Sequence, residues 1–244
     1  MDSVTNLPVI PARNWKEAIA ALFGATGLLL LTVYAAHSFL DQLLTDMIQQ
    51  ELMNPRGTSN WIWVFGGLSF ALGLIGPLIV SFLALCAWRF PQVPLGDVAR
   101  RHFSYLVREE MRVLGSSLLW GILLLIPGII RFFQCTFVSY VVLLDPDYSL
   151  GTTDALQLSQ LRVRQVWGRL AILFIIFGAI LPLVLTALDE WRSIFQQPLT
   201  ALPLLLVELT ILLLFQWLIL RAWEKASRST PLANPASSSG EVVG

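Results

Sequence analysis

The sequence predicts an all-α, polytopic helical membrane protein. Three observations carry that expectation: hydrophobic residues make up 56% of the chain, charged residues only 13%, and the apolar residues fall in long runs separated by short charged stretches. Soluble domains carry about 25% charged residues, so a surface this poor in charge suits lipid better than water. A helix needs roughly 20 apolar residues to cross hydrocarbon, and four runs reach that length: Ala18 to Leu40, Trp61 to Trp88, Leu170 to Leu188 and Ala201 to Ala222. A fifth region, Ser116 to Leu144, is interrupted by Pro127-Gly128 and brings the expectation to about six membrane-inserted segments. Residues 1–225 read as one helical domain, followed by a disordered tail over 226–244.

The first run follows a start that has no basic region leading directly into an apolar stretch with a small-residue cleavage site, so it reads as a retained anchor. After it, Leu40, Leu43, Leu44, Met47, Ile48 and Leu52 recur at helical spacing opposite Asp46, Gln49 and Gln50, which predicts an amphipathic surface helix. Asn54-Pro55-Arg56-Gly57 supplies the turn into the second span. Trp61, Trp63, Trp88, Trp167, Trp191, Trp217 and Trp223 lie near the ends of the spans, where an indole buries its ring and keeps its N–H wet. Between the second span and the broken region, Arg100, Arg101, Arg108 and Arg112 interleave with Val98, Phe103, Leu106, Val107, Met111 and Leu114. That pattern predicts a basic helix on the cytoplasmic lipid surface, held there by anionic headgroups.

Charge placement decides how Ser116 to Leu144 is threaded. Lys and Arg of short loops stay on the cytoplasmic side. If the segment enters and returns on the same side, thirteen basic residues lie inside, from Arg13 to Arg228, against Arg56 and Arg192 outside. A single crossing would leave eight inside and seven outside. The expectation is therefore a helical hairpin turning at Pro127-Gly128, either re-entrant or a pair of thin spans, with a Pro-kinked single helix as the alternative. Both termini are then cytoplasmic, and the absence of a cleavable leader together with helical spans points to a bacterial cytoplasmic (inner) membrane.

The stretch from Leu124 to Phe174 carries a pattern of its own. Ile126-Pro127-Gly128-Ile129, Arg131, the acidic turn at Asp145, Ala155-Leu156 with Ser159, and then Arg162, Arg164 and Trp167 together resemble the YciC-like and DUF975-like group of multi-helix bacterial membrane proteins. The resemblance covers about 50 of 244 residues. It implies a fold without implying an activity, and the link before Ala155 is longer than the group's pattern. On the residues alone, Asp154 or Thr153 starts a helix near its positive end, and Ser159 either back-bonds within that helix or meets a neighbour.

Two charged residues fall well inside the expected spans, Arg131 and Glu208. Burying either one unpaired is costly, so they are expected to form an ion pair or hydrogen-bond bridge pinning the hairpin to the last helix. The alternatives are a water-filled path lined by the same residues, or an Arg131 that snorkels to the interface. No catalytic, cofactor or metal site is expected. His37 and His102 lack ligand companions, Cys86 and Cys135 sit in apolar runs, and phosphate-binding, nucleophile-elbow and zinc-protease motifs are missing. With 16 basic and 16 acidic residues the chain has no charge bias toward nucleic acid. The functional expectation is a non-enzymatic scaffold or accessory subunit, with membrane lipids and a protein partner or second copy as its contacts. A transporter or channel using the broken hairpin and the buried charges Arg131 and Glu208, beside Pro127 and Gly128, is the alternative.

Overall fold

Helix α1 (Trp15–Leu22) and helix α2 (Ala25–Met53) meet at a break around Gly24. The computed structural model describes residues 15–22, 24–53, 60–145, 148, 151, 153–187 and 198–229, and among them it is all-helical, with no strand. The remaining helices are α3 (Asn60–Arg89), α4 (Leu95–Leu123), α5 (Leu125–Gln134), α6 (Val138–Leu144), α7 (Ala155–Ile175), α8 (Leu181–Thr186) and α9 (Pro198–Ser229). A π-helical turn, Ile176–Ile180, joins α7 to α8. Pro182 follows directly, and the wider turn absorbs the hydrogen bond that a proline nitrogen cannot donate. Among the described residues five helical stretches are long and apolar enough to cross a membrane: Thr26–Gln50, Trp61–Arg89, Leu125–Leu144, Ala155–Leu185 and Ala201–Arg228.

Several sequence-based boundaries move. The first run does not form one helix from Ala18 to Leu40, because the chain breaks at Gly24 and restarts. Nor is there a separate surface helix after Leu40. Nothing between Thr32 and Met53 is a proline or glycine, so α2 continues unbroken for 29 residues, about 43 Å at the α-helical rise. The basic segment merges with the first arm of the broken region to form α4. Of its apolar residues expected at the lipid surface, Val98 and Leu106 are buried against protein, while Phe103 and Met111 remain exposed. Helix α9 runs past 225 to Ser229, with Ala226 fully buried and the Ser227 hydroxyl donating to the Trp223 carbonyl at 2.9 Å. The Asn54 to Gly57 turn, the loop holding Trp191 and Arg192, Pro146-Asp147 and the tail from 230 lie outside the described residues.

The broken region also turns earlier than expected. The chain reverses at Leu124 (φ −153°, ψ 119°), three residues before Pro127-Gly128. Pro127 then occupies the first turn of α5, where its missing N–H costs nothing. Helices α4 and α5 pack antiparallel, with Gly128 against Gly121 and, further down, Ser139 of α6 donating to Glu110 of α4. A Cβ on Gly128 would lie 2.5 Å from the Gly121 Cα, so this approach requires glycine at 128.

The buried core gathers at one end of the bundle. It contains Val80 to Trp88 of α3 and Phe90 just after it, one face of α4, Phe137 to Leu143, Ala155 to Leu170 of α7 and Leu209 to Ala226 of α9. Trp88 is fully enclosed there and donates its indole N–H to the Ala18 carbonyl at 3.1 Å, fastening α1 beneath α3. An aromatic column of Trp167, Phe133, Phe174 and Phe215, with ring centroids 4.6, 4.7 and 5.4 Å apart, ties α5, α7 and α9 above it. At the opposite end the helices spread apolar side chains outward, including Trp63, Phe70, Ile122, Leu125 and Leu202. Side chains of that kind fit the lipid-facing surface of membrane helices.

Candidate functional site

The polar groups of the packed end form a layer of matched pairs. Arg162 of α7 donates to Asp145 at the end of α6, and their side chains are only 7% and 3% exposed. The Arg162 guanidinium also lies 4.0 Å above the Trp223 ring of α9, so one cation joins three helices. Arg89, the last residue of α3, donates to Glu224 of α9, whose second oxygen accepts from Arg221 at 3.4 Å. A buried charge is tolerable when a partner comes with it, and both pairs supply one from a different helix, although Arg162 keeps its Nε and Nη1 buried without a hydrogen-bond partner among the described residues.

A second network edges the first. Arg112 donates to Glu109 at 2.7 Å and to both oxygens of Asp154 at 3.3 and 3.4 Å. Asp154 is the N-cap of α7, accepting from the Leu156 N–H at 3.2 Å, so one carboxylate starts α7 and fastens it to α4. The two hydrogen bonds that Asp154 accepts, and then the Glu109 charge, hold the Arg112 guanidinium above its ordinary value. Glu109 also accepts from the Tyr148 hydroxyl at 3.4 Å. Burial, then the neighbouring carboxylate, pushes the Tyr148 phenol up to about 12. Glu110 is raised above the usual carboxylate range by burial, which outweighs the hydrogen bond from Ser139.

Ser159 meets a neighbour. Fully buried, its hydroxyl donates to the Gln134 carbonyl at 2.8 Å and accepts from the Phe137 N–H at 3.2 Å. These are backbone groups at the break between α5 and α6, where the helical ladder is interrupted. Ala155 and Leu156, in the same short pattern, are buried beside it. Sequence spacing located this serine, and its role is to satisfy a broken helix.

Arg131 and Glu208 are not brought together. Glu208 is buried in α9 and accepts from the Tyr34 hydroxyl of α2 at 3.0 Å. Among the described residues no ion pair joins it to Arg131. The reason lies in the turn. Reversal at Leu124 puts Arg131 seven residues below the tip, about 10 Å, where a turn at Pro127-Gly128 would have left roughly 5 Å. Arg131 instead stands in the last turn of α5, where a cation faces the negative end of the helix. Its Nε is buried without a hydrogen-bond partner among the described residues.

Of the four arginines expected at a lipid surface, Arg100, Arg101 and Arg108 are exposed, Arg108 lying 6.0 Å from the Tyr105 ring, and Arg112 is committed to Glu109 and Asp154. His102, between two of them, is lowered by burial and then by Arg101. No group of three or more His, Cys, Asp or Glu side chains suited to a metal occurs among the described residues. No protein-family model, curated protein or solved structure matches this chain.

Sequence reasoning missed the Arg162–Asp145–Trp223 and Arg89–Glu224 joints. The pairs are 17 and 135 residues apart, so no local spacing announces them. The available signal was coarser: all of these residues lie at the ends of apolar runs that charge counting assigns to one side.

Proposed function

We propose that this chain is a non-enzymatic integral membrane protein of the bacterial cytoplasmic (inner) membrane, acting as a scaffold or accessory subunit that organises other membrane components. The observation that carries this reading is the use to which the buried polar groups are put. Arg89, Asp145, Arg162 and Glu208 each meet a partner on another helix, and Glu109 meets Tyr148 beyond its own helix. These contacts join helices, as does the Ser139 hydroxyl of α6 on Glu110 of α4. The bundle's outward apolar surface is then available to lipid and to other membrane helices, a second copy included. The likeness of Leu124 to Phe174 to YciC-like and DUF975-like proteins belongs to the same proposal, as does the assignment of the packed end to the cytoplasm.

In this reading α4 and α5 form a re-entrant hairpin. From Leu114 to Leu123 the apolar tip of α4 rises about 15 Å, half of a ~30 Å hydrocarbon core, and α5 returns over the same distance. Arg100, Arg101 and Arg108 face the anionic headgroups at its base. A second reading, a transporter or channel, is favoured by two observations: the helix interrupted at Cys135 to Phe137 and the buried Arg131 Nε beside it.

Cysteine labelling from each side of the membrane tests both, in a chain carrying Cys86→Ala and Cys135→Ala. Gly151 has φ +71° and is unsuited to a cysteine, so the reporters are Arg101→Cys, Arg164→Cys and Gln196→Cys. The hairpin requires 101 and 164 to react from the cytoplasm and 196 from outside. Reaction of 164 from outside means one crossing and overturns it. Arg131→Cys and Glu208→Cys should resist a membrane-impermeant reagent if the protein is a closed scaffold. Rapid labelling of both from one side establishes a hydrated path and the transport reading.

A further inference from the structure

We propose that one face of α9 binds a single anionic phospholipid, with an acyl chain in a groove between α2 and α9 and the phosphate held by Lys225 and Arg228. The proposal rests on α2 and α9 spanning the membrane, which the labelling above tests separately. The groove has a volume of about 350 Å³ and is walled by Leu28 and Leu31 of α2 and Leu209 and Leu213 of α9, with Gly24 beside them. Its one hydroxyl, on Thr210, already donates to the Leu206 carbonyl at 2.8 Å. A hydroxyl turned back on its own helix leaves an apolar lining, and within a bilayer the apolar chain at hand is an acyl chain.

The head end has the complementary charge. A second pocket, about 290 Å³, is lined by Arg221, Glu224, Lys225 and Arg228, three cations to one carboxylate, and that carboxylate accepts from both Arg89 and Arg221. The two pockets lie on one stripe. Positions 206, 210, 213, 217, 221, 224 and 228 of α9 recur at steps of three and four. Thr210 and Arg221 are eleven residues apart, about 16 Å, close to the ~15 Å between the middle of a hydrocarbon core and its surface. Between the pockets Trp217 lies 5.5 Å from Trp15 and beneath Arg221, 5.0 Å from ring to guanidinium. That is the position of an interfacial indole pair, at the depth where a glycerol backbone would sit.

Native mass spectrometry of the full chain released from detergent tests the site, comparing phosphatidylglycerol with phosphatidylcholine of the same chains. One phosphatidylglycerol should be retained per chain, with a preference of about tenfold or more over phosphatidylcholine for two interfacial cations. Gly24→Leu fills the groove; a Cβ there meets nothing within 4 Å, so the backbone has no cause to move. It should lower retention of both lipids about tenfold, and Leu213→Trp, which blocks the other wall, should do the same if Gly24→Leu fails to fold. The double variant Lys225→Gln/Arg228→Gln should keep a lipid but lose the preference, and Arg100→Gln/Arg101→Gln should change neither. Retention that survives a filled groove, a preference that survives neutralisation of 225 and 228, or a groove variant that only alters the oligomeric state overturns the proposal.

Discussion

Replacing Asp145 by asparagine would remove the charge opposite a guanidinium that is almost wholly enclosed. The Arg162 side chain is 7% exposed and the Asp145 side chain 3%, so water cannot take the place of the lost carboxylate without opening the packed end. Breaking a buried pair from one side costs about 3–5 kcal/mol. The Trp223 ring, 4.0 Å from the guanidinium, continues to hold the cation and offsets about 1–2 kcal/mol. The net expectation is a loss of about 2–3 kcal/mol, or on the order of 5–10 °C in unfolding midpoint for a chain of this size. Arg162→Met should cost a similar amount, and the double variant much less than the sum, because two isosteric neutral side chains leave no orphaned charge. Contacts that Asp145 makes elsewhere cancel in such a cycle. Thermal and denaturant unfolding in detergent, followed by circular dichroism, gives the four stabilities. A coupling of about 2 kcal/mol or more supports a desolvated joint, whereas additivity within ~0.5 kcal/mol means a hydrated pair and refutes the structural role assigned to it.

Four other substitutions check different contacts. Ser159→Ala strips the Gln134 carbonyl and the Phe137 N–H of their shared partner and should cost about 2–4 kcal/mol at roughly 1–3 per orphaned group; a loss below ~1 kcal/mol in the same unfolding assay would mean that the break between α5 and α6 is satisfied without it. Gly128→Ala should destabilise by about 1–3 kcal/mol because its Cβ would press on the Gly121 backbone, while Gly121→Ala meets nothing within 4 Å and should be neutral or stabilising by up to ~1 kcal/mol; equal effects would show that the two helices do not pack this closely. Glu110→Gln tests linkage to pH. A carboxyl whose folded value is raised contributes stability that is present below the ordinary glutamate range and lost as pH rises through the raised value. The variant should therefore match the parent near pH 4 and exceed it at pH 7, and a parent that is the more stable of the two at pH 7 contradicts burial as the dominant cause.

How much of this was legible beforehand depends on the range of the interaction. Spans fixed by composition within one helix were readable: Trp61 to Trp88 lies inside α3, and Ala201 to Ala222 inside α9. Boundaries set by what a helix touches were not. Val98 and Leu106 read as part of a lipid-facing stripe because lipid and protein core ask for the same side chains, and only the presence of α3 and α6 beside α4 settles which is meant. The turn was misplaced for a related reason. Pro-Gly is a helix breaker inside a helix but an acceptable first turn, so the motif marks a boundary to within a few residues and not the reversal itself.

The site was legible in kind and not in pairing. Counting charges located the end of the bundle where polar chemistry would gather, yet it singled out Arg131 and Glu208, whose partners depend on depths that a three-residue shift of the turn alters. It also treated Arg89 and Arg162 as surface charges. Arg89 and Arg162 are buried and matched to Glu224 and Asp145, so they fasten helices and contribute little field to a headgroup layer. Removing both from the count still leaves eleven basic residues on that side against Arg56 and Arg192 on the other. The returning arrangement of α4 and α5 thus survives the loss of its two most compromised votes. A single crossing would move Arg162 to the far side of the membrane from Arg89, although both are packed around the same buried stretch of α9, at Trp223 and Glu224.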